Sequence, residues 1–214
     1  MSETLEEPYQ DIKLTINLLN EQISRQLFHI DIRTCEISGE KVCVIVNTCV
    51  DNISKTSTGN TPAEVELFQA IVEEIMLSDA KWVSSILCLN LTSRLTNTIS
   101  KDNAQICLNK WSRNGYLIKE DGLLYLGART ISEFESHFRK VYPTRMTTCK
   151  LCTSSVYYGK ICANCYEVTH KHCLNVFWKK DKKCPSCKKP WKEAKGRIYE
   201  EEAEDNDESM STEE

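Results

Sequence analysis

Long apolar runs are missing from this 214-residue sequence. No stretch approaches the ~18 consecutive apolar residues that a membrane-spanning helix needs. The first ten residues are acidic and polar, so the sequence offers no secretory signal. We therefore expect an intracellular, reducing compartment, where clustered cysteines bind metal or carry out redox chemistry more often than they form disulfides. The hydrophobic fraction of 41% still allows most of the chain to fold.

The net charge of −4 is an average over three unlike segments. Residues 1–148 hold 15 Lys and Arg against 19 Asp and Glu, whereas residues 149–199 hold 12 against 3. Residues 200–214 hold 9 acidic residues and no basic one. That composition is typical of a disordered acidic tail.

The first part of the chain predicts a helix followed by a β-hairpin. Residues 11–27 repeat apolar side chains at helical spacing: Ile12, Ile16, Leu19 and Ile23. Residues 28–37 and 41–50 are rich in β-branched side chains around Ser38-Gly39, which favours two strands and a turn. We interpret residues 1–60 as a first winged helix that is truncated or degenerate, because it lacks an opening helix.

A second, better formed winged helix is predicted over residues 61–148. Thr61-Pro62-Ala63-Glu64 is a helix start with a capping box. A later helix stops near Gly115, and Asp121-Gly122 is a strong hairpin turn. We expect the last helix to begin at a second capping box, Thr130 with Glu133, and to end at Tyr142-Pro143. The fold class is therefore mainly α with small β.

Winged helices bind either DNA or protein. The candidate DNA face offers four cations: Lys101, Lys110, Arg113 and Lys119. The module is acidic overall, which opposes phosphate binding, so DNA contact is expected only within a larger complex. We expect this module to dock a protein, through apolar residues of its last helix: Phe134, Phe138, Val141 and Tyr142.

Seven of the 12 cysteines lie between Cys149 and Cys187 and form a metal-ligand pattern with one histidine. The ligands come in four pairs, each with two residues between its members: Cys149 and Cys152, Cys162 and Cys165, His170 and Cys173, Cys184 and Cys187. Such spacing lets both side chains of a pair reach one tetrahedral zinc ion. Two closed, structural zinc sites follow. The other five cysteines are interpreted as small buried thiols: Cys35, Cys43, Cys49, Cys88 and Cys107.

Spacing alone leaves the combination of the pairs open. Two independent knuckles would join neighbouring pairs. The order of four cysteines, one histidine and three cysteines instead resembles the cross-brace of RING variants and PHD fingers. On that model one zinc ion is held by Cys149, Cys152, His170 and Cys173. The other is held by Cys162, Cys165, Cys184 and Cys187.

Several residues resemble RING more than PHD positions. Leu151 stands where RING ligases expose an apolar residue to the conjugating enzyme, and Pro185 completes a CPxC pair. Lys188 stands where ligases keep a cation for the ubiquitin-loaded enzyme, and Phe177 and Trp178 fall in the spacer of the groove residue. A PHD finger has an aromatic residue where this chain has Lys182. Alternatively, Leu151, Phe177 and Trp178 pack the small domain's own core.

The basic run 179–183 allows two interpretations. It resembles a nuclear-localisation signal, or it offsets the negative charge of the zinc-bound thiolates.

The whole pattern resembles the non-SMC element 1 family, the RING-like subunits of the Smc five/six chromosome-maintenance complex. The resemblance rests on the tandem winged helices, the stretch Asn109–Ile118, the exit at Tyr142-Pro143 and the variant zinc order. It implies two zinc ions, a nuclear, chromosome-associated location and a role in DNA repair by homologous recombination. It also implies a MAGE-type winged-helix partner, a kleisin partner and partner-dependent ubiquitin-ligase activity. The chain begins later than typical members do.

No catalytic nucleophile stands out, and a RING ligase needs none. Such a ligase holds the ubiquitin-loaded conjugating enzyme so that its thioester lies in a reactive geometry. The first hypothesis is thus a RING-type ubiquitin-ligase subunit. The alternatives are an architectural subunit that only docks partners and a PHD-like histone reader.

Overall fold

The computed structural model describes residues 7–48 and 59–194, with side chains from residue 11 onward. Cys49 and the predicted acidic tail, residues 200–214, lie outside the described residues. Among the helices that are described, none combines the length and the apolar character that a membrane crossing requires.

The chain opens with a helix and a hairpin. Helix α1 spans Glu7–Ile23, and strands β1 (Phe28–Thr34) and β2 (Lys41–Asn47) pair antiparallel, so the predicted hairpin is confirmed. Half of the predicted apolar stripe of α1 is uncovered. Ile16 is 8% exposed, but Ile12 is 49% and Leu19 is 41% exposed. The helix therefore lacks a full covering layer within the described part of the chain.

The second unit has the element order of a winged helix. Its helices are α2 (Pro62–Leu77), α3 (Ser85–Asn90), α4 (Lys101–Arg113) and α5 (Ala128–Val141). Its strands are β3 (Val83–Ser84), β4 (Leu117–Glu120) and β5 (Leu123–Leu126), in the sheet order β3-β5-β4. The short strand β3 was not predicted. Its two residues lie too close to the next helix to show an alternating pattern.

The capping box that opens helix α2 is confirmed. Thr61 Oγ1 accepts a hydrogen bond from the Glu64 N–H, and Glu64 accepts one from the Thr61 N–H. Both bonds satisfy backbone donors that a helix start otherwise leaves without partners.

The second predicted capping box is wrong. Helix α5 begins after Gly127, three residues before Thr130. The Thr130 hydroxyl donates to the Tyr116 carbonyl at 2.6 Å, and Glu133 pairs with Arg129 at 2.9 Å. A Cβ on Gly127 would lie 2.1 Å from a carbonyl oxygen of the preceding turn, so this position requires glycine. The early start follows from this close approach.

The core of the second unit lies between its helices and its sheet. It is built from apolar side chains of several elements: Leu67, Phe68, Ile71, Ile75, Leu108, Trp111, Leu124, Phe134 and Phe138. Burying each such side chain contributes about 1.5–3 kcal/mol relative to exposure. The expectation that Phe134 and Phe138 bind a partner is wrong, because both are 0% exposed in the chain's own core. Tyr142 is half-buried beside this core, whereas Val141 is 51% exposed.

The last unit has little regular structure. Two short hairpins join β6 (Thr147–Thr148) to β7 (Ser155–Val156) and β8 (Lys160–Ile161) to β9 (Val168–Thr169). Helix α6 follows over Lys171–Phe177. With these elements, the predicted fold class of mainly helix with small sheets and a terminal zinc-type domain is confirmed.

Two aromatic side chains attach the last unit to the second. Tyr157 is 6% exposed, and its ring lies 6.0 Å from that of Phe138. Tyr158 meets Tyr125 edge to face at 5.1 Å. The zinc-type unit therefore packs against α5 and β5 through its own aromatic residues.

The scattered cysteines do not behave alike. Cys88 and Cys107 are buried, and burial raises the pKa of each thiol to about 12. Cys35 is half-buried. Cys43 is exposed on strand β2, so the prediction of a buried thiol is wrong there.

Candidate metal centre

The structure gathers the eight predicted ligands into two groups of four. In each group the four ligand atoms all lie within 4.8 Å of one another. The first group joins Cys149, Cys152, His170 and Cys173. The second joins Cys162, Cys165, Cys184 and Cys187. The groups interleave along the chain, so the arrangement is a cross-brace and the alternative of two sequential knuckles is wrong.

The distances within both groups fit tetrahedral zinc. Sulfur atoms bound at about 2.3 Å to a tetrahedral ion lie about 3.8 Å apart. In the second group, Cys165 Sγ and Cys184 Sγ are 3.7 Å apart, and Cys162 Sγ and Cys187 Sγ are 4.0 Å apart. In the first group, His170 Nδ1 lies 3.3 Å from Cys152 Sγ and 3.8 Å from Cys173 Sγ. The prediction of two zinc ions as cofactors is confirmed by this ligand geometry.

The three Cys-x2-Cys pairs share one backbone turn. In each turn the carbonyl of the first cysteine accepts a hydrogen bond from the N–H four residues on, at 2.8–3.1 Å. The N–H of the same cysteine donates to the carbonyl of the residue five positions later, at 2.8–3.1 Å. The residue after each pair has a positive φ, at Thr153 (61°), Tyr166 (57°) and Lys188 (60°). None of these residue types favours that region, so sequence could not reveal the shared turn.

Backbone N–H donors lower the thiol pKa of the first cysteine in two of these turns. Burial raises the pKa of Cys149, but hydrogen bonds from the N–H groups of Cys152, His170 and Leu151 lower it more, to about 7. Burial also raises the pKa of Cys162, and the N–H groups of Asn164 and Cys165 likewise bring it down to about 7. Thiolates are the form that zinc binds, so these donors favour the metal-binding state.

The ring of His170 presents Nδ1 to the metal. Its Nε2 lies 3.0 Å from the carbonyl oxygen of Ser155, which can only accept a hydrogen bond. We therefore assign the ring proton to Nε2 and leave the lone pair of Nδ1 facing the three thiols. Without metal, burial lowers the pKa of His170, but the carboxylate of Glu36 and the negative charges of Cys149 and Cys152 together raise it more, to about 9. Zinc binding must then release a proton from this ring.

His172, which lies two residues after the ligand His170, is half-buried. The rings of His172 and His170 are stacked with centroids 4.8 Å apart. Burial and the neighbouring ring both lower the pKa of His172. The His172 side chain therefore packs against the ligand His170 and is not itself one of the four ligands.

The residues predicted to contact a conjugating enzyme have unlike surroundings. Leu151, Phe177, Trp178 and Pro185 are half-buried, and Lys188 is exposed. The Trp178 ring meets the Trp191 ring at 5.4 Å, so much of it is used in packing within the domain. Sequence reasoning missed Val176, which is 64% exposed on helix α6 one position before Phe177. Its signal was one more apolar residue beside Phe177 and Trp178, after the polar Asn175.

Fold and ligand geometry together define a zinc-binding RING-like protein. The family model for the RING-like domain matches residues 149–187, from the first ligand to the last.

The more particular resemblance, to the non-SMC element 1 family, is confirmed over most of the chain. The chain is 28% identical to human "Non-structural maintenance of chromosomes element 1 homolog" over 192 residues, covering 88% of this chain and 72% of the relative. The Drosophila melanogaster homolog is 23% identical over 72% of this chain and 67% of its own length. A solved chain described as "Nse1-Nse3-Nse4 complex" superposes with a TM-score of 0.70 at 26% identity, covering 84% of this chain and 79% of that chain.

Proposed function

We propose that this chain is the RING-like subunit of a nuclear, chromosome-associated SMC complex that acts in DNA repair by homologous recombination. Its zinc-bound domain holds a ubiquitin-loaded conjugating enzyme and so promotes ubiquitin transfer. The observation that carries the proposal is the pair of closed four-ligand groups inside the RING-like segment. Four protein ligands leave zinc no position for water, so the metal supplies shape and the domain acts by positioning its partner.

The partner proposal rests on uncovered apolar side chains of the first unit. Apolar side chains are exposed along α1 and the hairpin: Ile12, Leu14, Leu18, Leu19, Leu27, Phe28 and Ile45. Soluble chains rarely leave so many neighbouring apolar side chains uncovered without a binding role. We propose that a MAGE-type winged-helix subunit covers some of these side chains, because the superposed solved chain is described as part of an Nse1-Nse3-Nse4 complex. The kleisin partner is proposed on the same ground.

Direct DNA contact is proposed only within that complex. The predicted DNA face of the second unit is partly used within the chain, since Lys110 lies 3.8 Å from the carboxylate of Glu64 and 2.9 Å from Asn60.

The proposed division of the chain into domains remains residues 1–60, 61–148 and 149–199, followed by an acidic tail. Limited proteolysis with mass spectrometry tests those boundaries.

The deciding experiment measures discharge of ubiquitin from a loaded conjugating enzyme to free lysine. The purified chain is assayed alone and with the MAGE-type partner. We expect faster discharge with the partner bound. If discharge stays at the rate without the chain in both cases, while the complex still forms, the architectural alternative stands. Binding of histone peptides in place of discharge would support the PHD-like alternative.

A further inference from the structure

The first zinc-ligand group is contacted by a side chain from the other end of the chain. Glu36 lies in the turn between β1 and β2. Its Oε1 is 3.3 Å from His170 Nε2, and the two side chains are only 10% and 6% exposed. Its Oε2 accepts hydrogen bonds from the N–H groups of Tyr157 at 3.0 Å and Tyr158 at 2.5 Å. Within the part of the chain that the structure describes, this carboxylate therefore takes its hydrogen bonds from the RING-like domain.

Burying a carboxylate is costly unless hydrogen bonds satisfy it. Within residues 11–48 and 59–194, no Lys or Arg forms an ion pair with Glu36, so His170 and the two N–H groups provide its compensation. Glu36 in turn restrains the imidazole ring of His170. Its Nε2–H is directed at Ser155 and Glu36 together, which fixes both the tautomer and the rotation of the ring.

Among the described residues, the second zinc-ligand group has no such connection. Its four cysteines lie within residues 162–187; Asn164 donates a hydrogen bond to Cys162, and the carbonyl of Lys189 accepts one from the Cys184 N–H. Glu36 makes no contact with it. The two zinc sites of one chain therefore differ in their dependence on the N-terminal hairpin.

We propose that Glu36 is a positioning residue for the zinc ligand His170, so that the first zinc site is completed by the β1–β2 turn. A carboxylate on the outer nitrogen of a metal-bound histidine orients the ring and raises the basicity of the ligand, and losing it typically costs 10–100-fold in metal affinity. The hairpin and the first zinc site then stabilise each other. Anything that moves the hairpin also weakens zinc binding at the first site, but not at the second.

The test compares Glu36→Gln with the parent chain, both loaded with two zinc ions. Glutamine keeps the size of the side chain, and its oxygen still accepts from Tyr157 or Tyr158, but it removes the charged acceptor from His170. Glu40→Gln is the matched control, because Glu40 is an exposed residue near the same turn. Zinc release to a chromogenic chelator is timed. Alkylation of the freed thiols, mapped by mass spectrometry, assigns each ion to its site.

We expect Glu36→Gln to release one ion about 10–100-fold faster. The freed thiols should be Cys149, Cys152 and Cys173, while the other ion leaves at the parent rate. Glu40→Gln should match the parent at both sites.

Cadmium-113 NMR gives a second readout that a mere docking role would not affect. In Glu36→Gln the resonance of the site with one nitrogen and three sulfur ligands should shift, and that of the four-sulfur site should not. Parental release with an unchanged resonance overturns the proposal. Equal acceleration at both sites also overturns it, since Glu36 would then support the domain as a whole.

Discussion

Arg33 in strand β1 donates a hydrogen bond from its guanidinium to the carboxylate of Glu135 in helix α5. The same guanidinium contacts Asp31 at 2.9 Å and Ser132 at 2.7 Å. Glu135 in turn accepts a hydrogen bond at 2.8 Å from the hydroxyl of Ser155, which lies in strand β7 of the RING-like domain. One polar network thus joins the N-terminal hairpin, the last helix of the winged helix and the RING-like domain.

Replacing Arg33 with Met should lower the free energy of unfolding by about 1–3 kcal/mol, because it leaves partly buried acceptors without their charged donor. Burial raises the pKa of Glu135, but Arg33, Ser155 and Arg139 together lower it more, so the net pKa lies below its ordinary value of 4.5. The stabilisation is therefore present above pH 4.5 and is lost as the pH falls through the lowered pKa. Urea denaturation at pH 7 with saturating zinc measures the difference in the free energy of unfolding between Arg33→Met and the parent chain. Arg25→Met, at an exposed arginine, is the control, and an equal effect there would contradict the assignment.

Zinc removal should loosen more than the RING-like domain. So short a domain buries little apolar surface, and structural zinc supplies roughly 10–16 kcal/mol of apparent binding energy. Native mass spectrometry should find two zinc ions per chain. After chelation, hydrogen exchange should rise across residues 147–187 and in the β1–β2 turn, because Glu36 loses its anchored partner, while helices α2 and α4 stay protected. A single ion, or a RING-like domain that stays protected without zinc, would refute the two-site reading.

Local rules predicted well wherever the determinants lie close together in sequence. The zinc ligands come in pairs separated by two residues, and the opening of helix α2 depends on Thr61 and Glu64, three residues apart. The turn at Asp121-Gly122 follows from the same kind of proximity. Each of these features was found because a short segment contains all the groups that form it.

Features that depend on distant segments were missed. Nothing near Glu36 indicates that its carboxylate meets His170 after folding. The apolar face of α5 was correctly seen, but an amphipathic pattern does not say whether its face meets the chain's own core or a partner. Phe134 and Phe138 were therefore predicted to contact a partner, although they lie in the chain's own core. Helix α1 shows the same limit, because its apolar stripe was predicted from spacing, but Ile12 and Leu19 are exposed.

The carboxylate of Glu66 should titrate far below its usual range. It accepts hydrogen bonds from the Thr96 N–H at 2.5 Å and from the Asn97 N–H at 2.9 Å, and these donors lower its pKa to about 2. Its contribution to stability is thus present above the ordinary value of 4.5 and is lost only as the pH falls through about 2. Carbon-13 NMR of the side-chain carboxylate measures the midpoint. A midpoint near 4.5 would show that these two hydrogen bonds do not persist in solution.

The side of α1 that carries the exposed Leu14 and Leu18 should bind the MAGE-type partner. Leu18→Glu places a charge where the side chain is 62% exposed, so the chain should fold but lose the partner. A stable interface buries roughly 1,200–2,000 Å² and depends on a few central anchors, so co-purification should fall at least tenfold.

Two further variants locate the interface. Val141→Glu changes the exposed residue of the originally predicted surface, and Ile106→Glu changes a 60% exposed residue of helix α4. Both should still co-purify with the partner, with circular dichroism as the folding control. If only Val141→Glu loses the partner, the interface lies at the end of α5.

Leu151 and Lys188 should act in ubiquitin transfer through different contacts. Leu151 lies inside the first Cys-x2-Cys turn and its side chain is half-buried, so Leu151→Ala should weaken the grip on the conjugating enzyme. Lys188 follows the last zinc ligand, and its exposed side chain makes Lys188→Ala a test of the cation that leaves the zinc ligands in place. Each variant should slow ubiquitin discharge several-fold in the partner-bound complex while native mass spectrometry still finds two zinc ions.

Lys189→Ala, at the exposed neighbouring lysine, is the matched control and should keep the parent rate. Raising the concentration of conjugating enzyme should restore the rate of Leu151→Ala, which loses binding, more fully than that of Lys188→Ala, which loses alignment of the loaded ubiquitin. Parental discharge by both variants would mean that these two residues serve the domain's own packing and charge balance.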